Sequence, residues 1–268
     1  MIEVVNERFP RGGFRVAIFD FDGTLSLLRR NWQDVMIPMM VDTLLETGTT
    51  ESRSELHRHV EEFVMRLNGR QTIYQMIQLA KEVAERGGRP LEPLEYKHRY
   101  HELLWREVSV RIDHVRSGRV PARELTVPGS EQLLGRLRKA GLILYLASGT
   151  DLTYVRDEVN VLGLNAYFGP RIYGALDDYK RFSKARIIGQ IIRDAEISGH
   201  EMVAFGDGFV EIEAIKRVGG LAIGVASNES DRRGVNLWKR NRLIRAGSDI
   251  IIGDYRSLDA LLELIEIS

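Results

Sequence analysis

Residues 15–25 read RVAIFDFDGTL: four apolar residues, Val16 to Phe19, run unbroken into Asp20, and Asp22 follows beside a glycine. A run this short, continuous rather than alternating and β-branched at Val16 and Ile18, suits a strand buried on both faces of a parallel sheet. The same texture returns at residues 142–147 (LILYLA), 202–205 (MVAF), 221–225 (LAIGV) and 249–252 (DIII). Between these runs, helical spacing covers residues 130–140, 151–162, 183–196, 209–218, 231–246 and 257–265. Strand and helix in alternation, joined by short loops, predict a doubly wound α/β domain with a mainly parallel sheet.

From about residue 27 to residue 127 the texture changes, and no strand pattern is evident. Four helices are expected. The first, over residues 31–46, sets Trp32, Val35, Met36, Met39 and Leu44 at helical spacing. The second covers residues 52–67, and the third, residues 71–86, stops at Gly87-Gly88, the residue type that terminates helices. The fourth covers residues 93–115, opens on a proline and ends near Gly118. Residues 27–127 are therefore expected to form an all-helical domain inserted into an α/β domain built from residues 1–26 and 128–268.

Composition removes several chemistries. The 268 residues include 38 Lys plus Arg and 38 Asp plus Glu, so the net charge is zero, unlike a chain that grips nucleic acid through its overall field. There is no cysteine, which excludes disulfides, thiolate nucleophiles, iron–sulfur clusters and cysteine-based zinc sites. No apolar run approaches the roughly 18 residues of a membrane span. Residues 1–15 alternate charge with apolarity and show no signal-peptide core. The expectation is a cytoplasmic protein with neither nucleic acid nor membrane as partner. Its chemistry must come from carboxylates, hydroxyls, lysine, histidine or a metal.

Candidate groups gather where the strands end, the place where open α/β sheets bind ligands. Asp20 and Asp22 repel each other unless a cation or a shared proton lies between them. Ser148-Gly149-Thr150 follows LILYLA, and supplies either a functional hydroxyl or a helix N-cap. Residues 206–211, GDGFVE, follow MVAF; Glu211 also suits the positive end of a helix. Lys184 opens a helix, where the dipole gives a cation no reason to be, and Lys180 stands four residues earlier as the other candidate. In this order, the four elements resemble the motifs of the haloacid dehalogenase superfamily: DxDGT, a Ser or Thr, a Lys, and GDxxxD with Glu in the last place. A helical insert after the first motif is similar to the C1-capped members, such as phosphoglycolate phosphatases and β-phosphoglucomutases.

The resemblance implies a Rossmann-like core with a helical cap, and Mg²⁺-dependent hydrolysis of a small phosphorylated metabolite through an aspartyl-phosphate. Asp20 would be the nucleophile and Asp22 the acid and base, with Ser148 and Lys184 holding phosphoryl oxygens and Thr24 and Gly149 beside the substrate. Mg²⁺ would be bound by Asp20, the Asp22 backbone carbonyl and Asp207, with Glu211 in support. A sugar-phosphate mutase using the same intermediate is the alternative, followed by a non-catalytic phosphometabolite- or partner-binding module. Asp22 argues against the dehalogenase branch. The segment after Leu25, SLLRR, departs from the commoner DGTLxDS, and Arg29 and Arg30 are expected either to meet a second anionic group or to form a solvated pair.

Other features carry less. His57 and His59 diverge on a helix, and His98 and His101 lack a third ligand for zinc. Six cations between Arg232 and Arg245 read as a solvated helix face. Neither GxGxxG nor GxxxxGK[ST] is present.

Overall fold

Uninterrupted burial, the basis of the sequence reading, is what the computed structural model shows at the centre of the sheet. It describes residues 1–175 and 183–268, so Lys180 lies outside the described residues. The chain divides into two units, Met1–Arg30 with Ile112–Ser268, and Asn31–Arg111. Residues 27–30 and 112–127 thus count with the larger unit.

In the larger unit the described strands are β1 (Ile2–Val4), β2 (Val16–Phe19), β3 (Ile143–Asp151), β4 (Ile172–Ala175), β5 (Met202–Gly206), β6 (Leu221–Val225) and β7 (Ile250–Ile252). They form one sheet in the order β1-β7-β6-β5-β2-β3-β4, parallel throughout except for β1, which runs antiparallel to β7. Every residue of β2, β5 and β6 is buried. From β2 the chain winds outward through β3 and β4, then returns to β5 on the other side of β2. The winding therefore reverses at β2, and a reversal opens a crevice at the carboxyl ends of the flanking strands.

Helices α1 (Gln33–Leu45), α2 (Arg53–Leu67), α3 (Ile73–Glu85) and α4 (Pro93–Arg116) follow β2. After them come α5 (Ser130–Lys139), α6 (Leu152–Val161), α7 (Asn165–Phe168), α8 (Lys184–Asp194), α9 (Phe209–Arg217), α10 (Leu237–Ala246) and α11 (Leu258–Leu264). Among the described residues no helix is long and apolar enough to cross a membrane.

Several elements differ from expectation. Strands β1 and β4 were not anticipated: β1 is short and partly exposed, and β4 carries Gly174 in mid-strand. β3 continues past Ala147 to Asp151, with a register shift against β4 over that stretch. α10 starts at Leu237 rather than near Asp231, because Arg232 and Gly234 adopt positive φ (53° and 73°), which a helix cannot accommodate. Asn236 then caps it, its Oδ1 accepting from Lys239 N at 3.0 Å.

The smaller unit is helical. In α2 the residues Leu56, Val60, Phe63 and Val64 are buried at helical spacing, and a capping box between Ser52 and Glu55 starts the helix. Arg86 joins the loop before α2 to the end of α3. Its Nε donates to Glu51 Oε2 at 2.5 Å and its Nη1 to Glu82 Oε2 at 2.7 Å; His59 Nε2 also meets Glu82 Oε2, at 2.7 Å. The hydrogen bond from Arg86 holds Glu51 below its ordinary pKa. For Glu82, burial pushes the carboxyl up, but bonds from Arg86, Gln78 and His59 outweigh it and leave the pKa lowered. Carboxyls depressed in the folded state stabilise it above their unfolded pKa and lose that contribution as pH falls through the folded value. Arg86→Met should therefore cost about 1.5–3 kcal/mol at pH 7. The deficit should shrink as chemical unfolding is repeated from pH 6 down to pH 3.5; one of constant size over that range contradicts the assignment.

Candidate active site

Register brings the strand ends together. Phe19 pairs with Leu146 of β3 and with Phe205 of β5, so Ser148 and Asp207 both lie two residues beyond the level of Phe19. Asp20 N still donates to Phe205 O at 2.9 Å, and the Phe19 and Phe205 rings stack with centroids 4.7 Å apart. The chain leaves the sheet on a packed aromatic floor, and Asp20 sits on it, buried.

Lys184 reaches Asp20 from the first turn of α8. Ser183 Oγ caps that helix, accepting from Arg186 N at 3.2 Å. The Lys184 ammonium is 2.8 Å from Asp20 Oδ1 and 2.9 Å from Glu211 Oε2, and all three side chains are buried. Those two carboxylates answer the question raised by a cation at a helix start. Glu211 is fixed in turn because its Oε1 accepts from Gly208 N at 2.7 Å, at the start of α9. Gly206 leaves room for it: a Cβ there would lie 2.2 Å from Glu211 Cγ.

Asp207 completes the acidic group. One oxygen from each of Asp20, Asp207 and Glu211 falls within 4.8 Å of the others. Asp207 packs against the turn after β2, where Gly23 has φ 72° and a Cβ would stand 2.2 Å from Asp207 Oδ2. Only glycine satisfies both the left-handed backbone and that approach. The donors are all hard carboxylate oxygens, the set that suits Mg²⁺, so these residues fit the ion that the family resemblance implies.

Asp22 lies in a different setting. Its Oδ2 accepts from Thr150 Oγ1 at 2.9 Å, while Oδ1 is buried with no hydrogen-bond partner. Thr150 N donates to Ser148 Oγ at 3.0 Å, which ties the hydroxyl of the buried Ser148 to the same segment. Burial raises the Asp22 pKa to about 7; Glu158 and Asp207 add to the rise, and Arg29 and the Thr150 hydroxyl oppose it. Burial also holds Asp20 well above the carboxylate range, with Lys184 opposing and Glu211 and Asp207 reinforcing. Lys184 is lowered by burial but raised more by its two carboxylates, so its pKa lies above that of an ordinary lysine.

The structure thus gathers Asp20, Lys184, Asp207 and Glu211, with Asp22, Thr150 and Ser148 beside the same strand ends. Thr24 Oγ1 is buried without a partner, and its carbonyl accepts from Tyr255 Oη at 3.0 Å. Gly149 is half-buried on β3. Arg29 is buried and held by Glu158, with Nε and Nη2 donating at 3.0 and 2.6 Å to Oε1. Arg30 is half-buried, and its N donates to Leu27 O at 3.2 Å. Glu158 and Lys239 escaped the sequence reading, and Thr150 was read there only within Ser148-Gly149-Thr150, as a hydroxyl or a helix N-cap. Lys239, from the cation-rich segment expected to be solvated, is buried with its Nζ 2.7 Å from Asp207 Oδ2. Helical spacing among six cations gave no sign of which one turns inward.

The fold is shared with solved structures. A "predicted phosphoglycolate phosphatase" from Haemophilus somnus aligns with a TM-score of 0.61 at 14% identity, over 93% of this chain and 98% of that one. A haloacid dehalogenase-like protein of unknown function from Agrobacterium tumefaciens aligns with a TM-score of 0.61 at 21% identity, over 94% and 99% of the two chains. β-Phosphoglucomutase from Clostridium difficile gives 0.57 at 16% identity, over 94% and 97%. At these identities the likeness is one of fold. No curated protein matches the sequence. The profile of the haloacid dehalogenase-like hydrolases matches residues 14–219, a span that runs from β2 through α9 and holds every acid and lysine of the four motifs; the chain belongs to that family.

Proposed function

We propose that the protein is a Mg²⁺-dependent phosphatase that hydrolyses a small phosphorylated metabolite, with Asp20 as nucleophile and an aspartyl-phosphate as intermediate. One observation carries the reading: buried Asp20 lies 2.8 Å from the Lys184 ammonium, two residues from an Asp22 whose pKa is about 7.

Burial disfavours the ionised Asp20 that attack requires, and Lys184 offsets part of that cost. Mg²⁺ bound by Asp20, the Asp22 carbonyl, Asp207 and Glu211 would neutralise the nucleophile and the phosphoryl oxygens. An Asp20 oxygen bonds to phosphorus while the bond from phosphorus to the substrate oxygen breaks, and Asp22 gives that departing oxygen a proton. Asp22, now ionised, takes a proton from the water that attacks the aspartyl-phosphate, releasing inorganic phosphate and restoring Asp20. A pKa near 7 suits a group that gives and then takes a proton. Thr150 holds Asp22 through Oδ2, and the unpartnered Oδ1 is the side on which proton exchange occurs. Ser148 and Lys184 hold the phosphoryl oxygens, Glu211 steadies Lys184, and Thr24 and Gly149 border the substrate.

The helical unit takes the part of the cap that selects the substrate. Arg29, committed to Glu158, acts on Asp22 through its charge, and Arg30 is the cation assigned to a second anionic group on the substrate.

Hydrolysis of p-nitrophenyl phosphate with Mg²⁺ tests the class. Asp20→Asn, nearly isosteric, should lower turnover by more than about 1,000-fold with the melting temperature retained. Turnover equal to wild type sinks the enzyme reading. A phosphometabolite panel scored for both free phosphate and isomerised product should yield phosphate; isomerised product alone would assign a mutase instead.

Asp207→Asn should raise the Mg²⁺ concentration for half-maximal rate about tenfold or more, while leaving the fold intact. A collapsed melting temperature with unchanged Mg²⁺ dependence would make Asp207 a structural residue.

A further inference from the structure

Asp207 is gripped by a second buried lysine that none of the four motifs contains. Lys239 Nζ stands 2.7 Å from Asp207 Oδ2, 2.6 Å from Glu229 Oε1 and 3.2 Å from Ser227 Oγ. An ammonium has three hydrogens to donate, and here it meets three acceptors. The direction of each bond follows. Ser227 Oγ lies 2.5 Å from Gly23 O, so its single hydrogen goes to that carbonyl and its lone pairs accept from Lys239. The contacts thus run from Glu229 through Lys239 to Asp207, with a branch through Ser227 to the turn after β2. That turn lacks a side chain at Gly23, where a Cβ would come within 2.9 Å of Lys239 Nζ and 2.2 Å of Asp207 Oδ2. The ion pair is therefore pressed onto the backbone that also carries Asp20 and Asp22.

Stability alone is a poor reason to bury such a group, because desolvation of the charges cancels much of their attraction. Neighbouring cations of the same helix also have contacts of other kinds. Arg240 pairs with Glu3, and the Arg242 guanidinium lies over the Phe209 and Trp238 rings at 4.7 and 5.1 Å. Lys239 is hydrogen-bonded directly to an acid of the cluster.

We infer that Lys239 is a positioning residue for Asp207: it holds one carboxylate oxygen, fixes the rotation of the group against Gly23, and so sets how tightly the acid cluster binds Mg²⁺. Glu229 and Ser227 place the ammonium. The inference rests on the proposed reading that Asp20, Asp207 and Glu211 hold the metal. A charge-only role predicts the opposite sign, since removing a cation beside the cluster would tighten Mg²⁺ binding.

Calorimetric titration of Mg²⁺ into the metal-free full-length protein separates the two. Lys239→Met should weaken Mg²⁺ binding about 10–100-fold, the usual cost of losing a group that orients a metal ligand. Ser227→Ala, a smaller change that removes one acceptor and the bridge to Gly23, should weaken it several-fold with an unchanged melting temperature. Turnover of p-nitrophenyl phosphate by Lys239→Met should recover at saturating Mg²⁺, with the half-saturating concentration displaced upward. Equal or tighter Mg²⁺ binding by a folded Lys239→Met overturns the inference; if that variant does not fold, equal or tighter binding by Ser227→Ala overturns it. A wild type that binds no Mg²⁺ overturns the metal reading itself, and this inference with it.

Discussion

The Lys184 ammonium, buried between Asp20 and Glu211, is the interaction on which the rest of the site depends. Three carboxylates with oxygens inside 4.8 Å do not coexist unaided. At an effective dielectric of 20, like charges 4 Å apart repel by about 4 kcal/mol per pair. Burial adds several kcal/mol for each ion moved out of water. Lys184 from α8 answers Asp20 and Glu211, and Lys239 from α10 answers Asp207 and Glu229. Two helices on separate crossovers thus each deliver one cation to one rim of the sheet. The cluster still carries an excess of acid over base, and this excess is what a divalent cation would satisfy.

Topology explains why so few residues suffice. Because the winding reverses at β2, Asp20 has β3 on one side and β5 on the other, and Ser148 and Asp207 leave those strands at the same level. Close approach is then a matter of missing side chains. Gly206 makes way for Glu211 and Gly23 makes way for Asp207, so the acid cluster is packed against backbone from two directions. The stacked Phe19 and Phe205 rings keep the strand ends from shifting beneath it.

What could be read from the sequence was local. The apolar runs located the five inner strands within a residue or two, except β3, which continues to Asp151. Asp20, Asp22, Lys184, Asp207 and Glu211 each announced themselves by standing at a strand end or helix start. Contacts between distant segments were invisible. Arg29 meets Glu158, 129 positions away, and Lys239 meets Asp207 across 32; no spacing rule links either pair. The reading of residues 231–246 as a single solvated helix failed because positive φ at Arg232 and Gly234 delays the start to Leu237, and because one lysine turns into the core. β1 and β4 were missed for other reasons: β1 is three residues long and partly exposed, and β4, although largely buried, is four residues long with Gly174 inside it.

The long-range pair that the sequence concealed also separates the two aspartates. Asp20 faces a cation directly, and that ammonium opposes the rise in pKa that burial causes. Asp22 faces Arg29 and Glu158, and these two act on it with opposite sign. A guanidinium alone at that position would pull the Asp22 pKa down and leave a carboxylate with no proton to give. With Glu158 holding the guanidinium through Nε and Nη2, much of that pull is cancelled, and burial becomes the dominant influence, giving a pKa of about 7. Burial raises both carboxyls, but Asp20 has an ammonium in direct contact to oppose the rise while Asp22 has a guanidinium already held by Glu158, and the proposed division into nucleophile and acid relies on that difference.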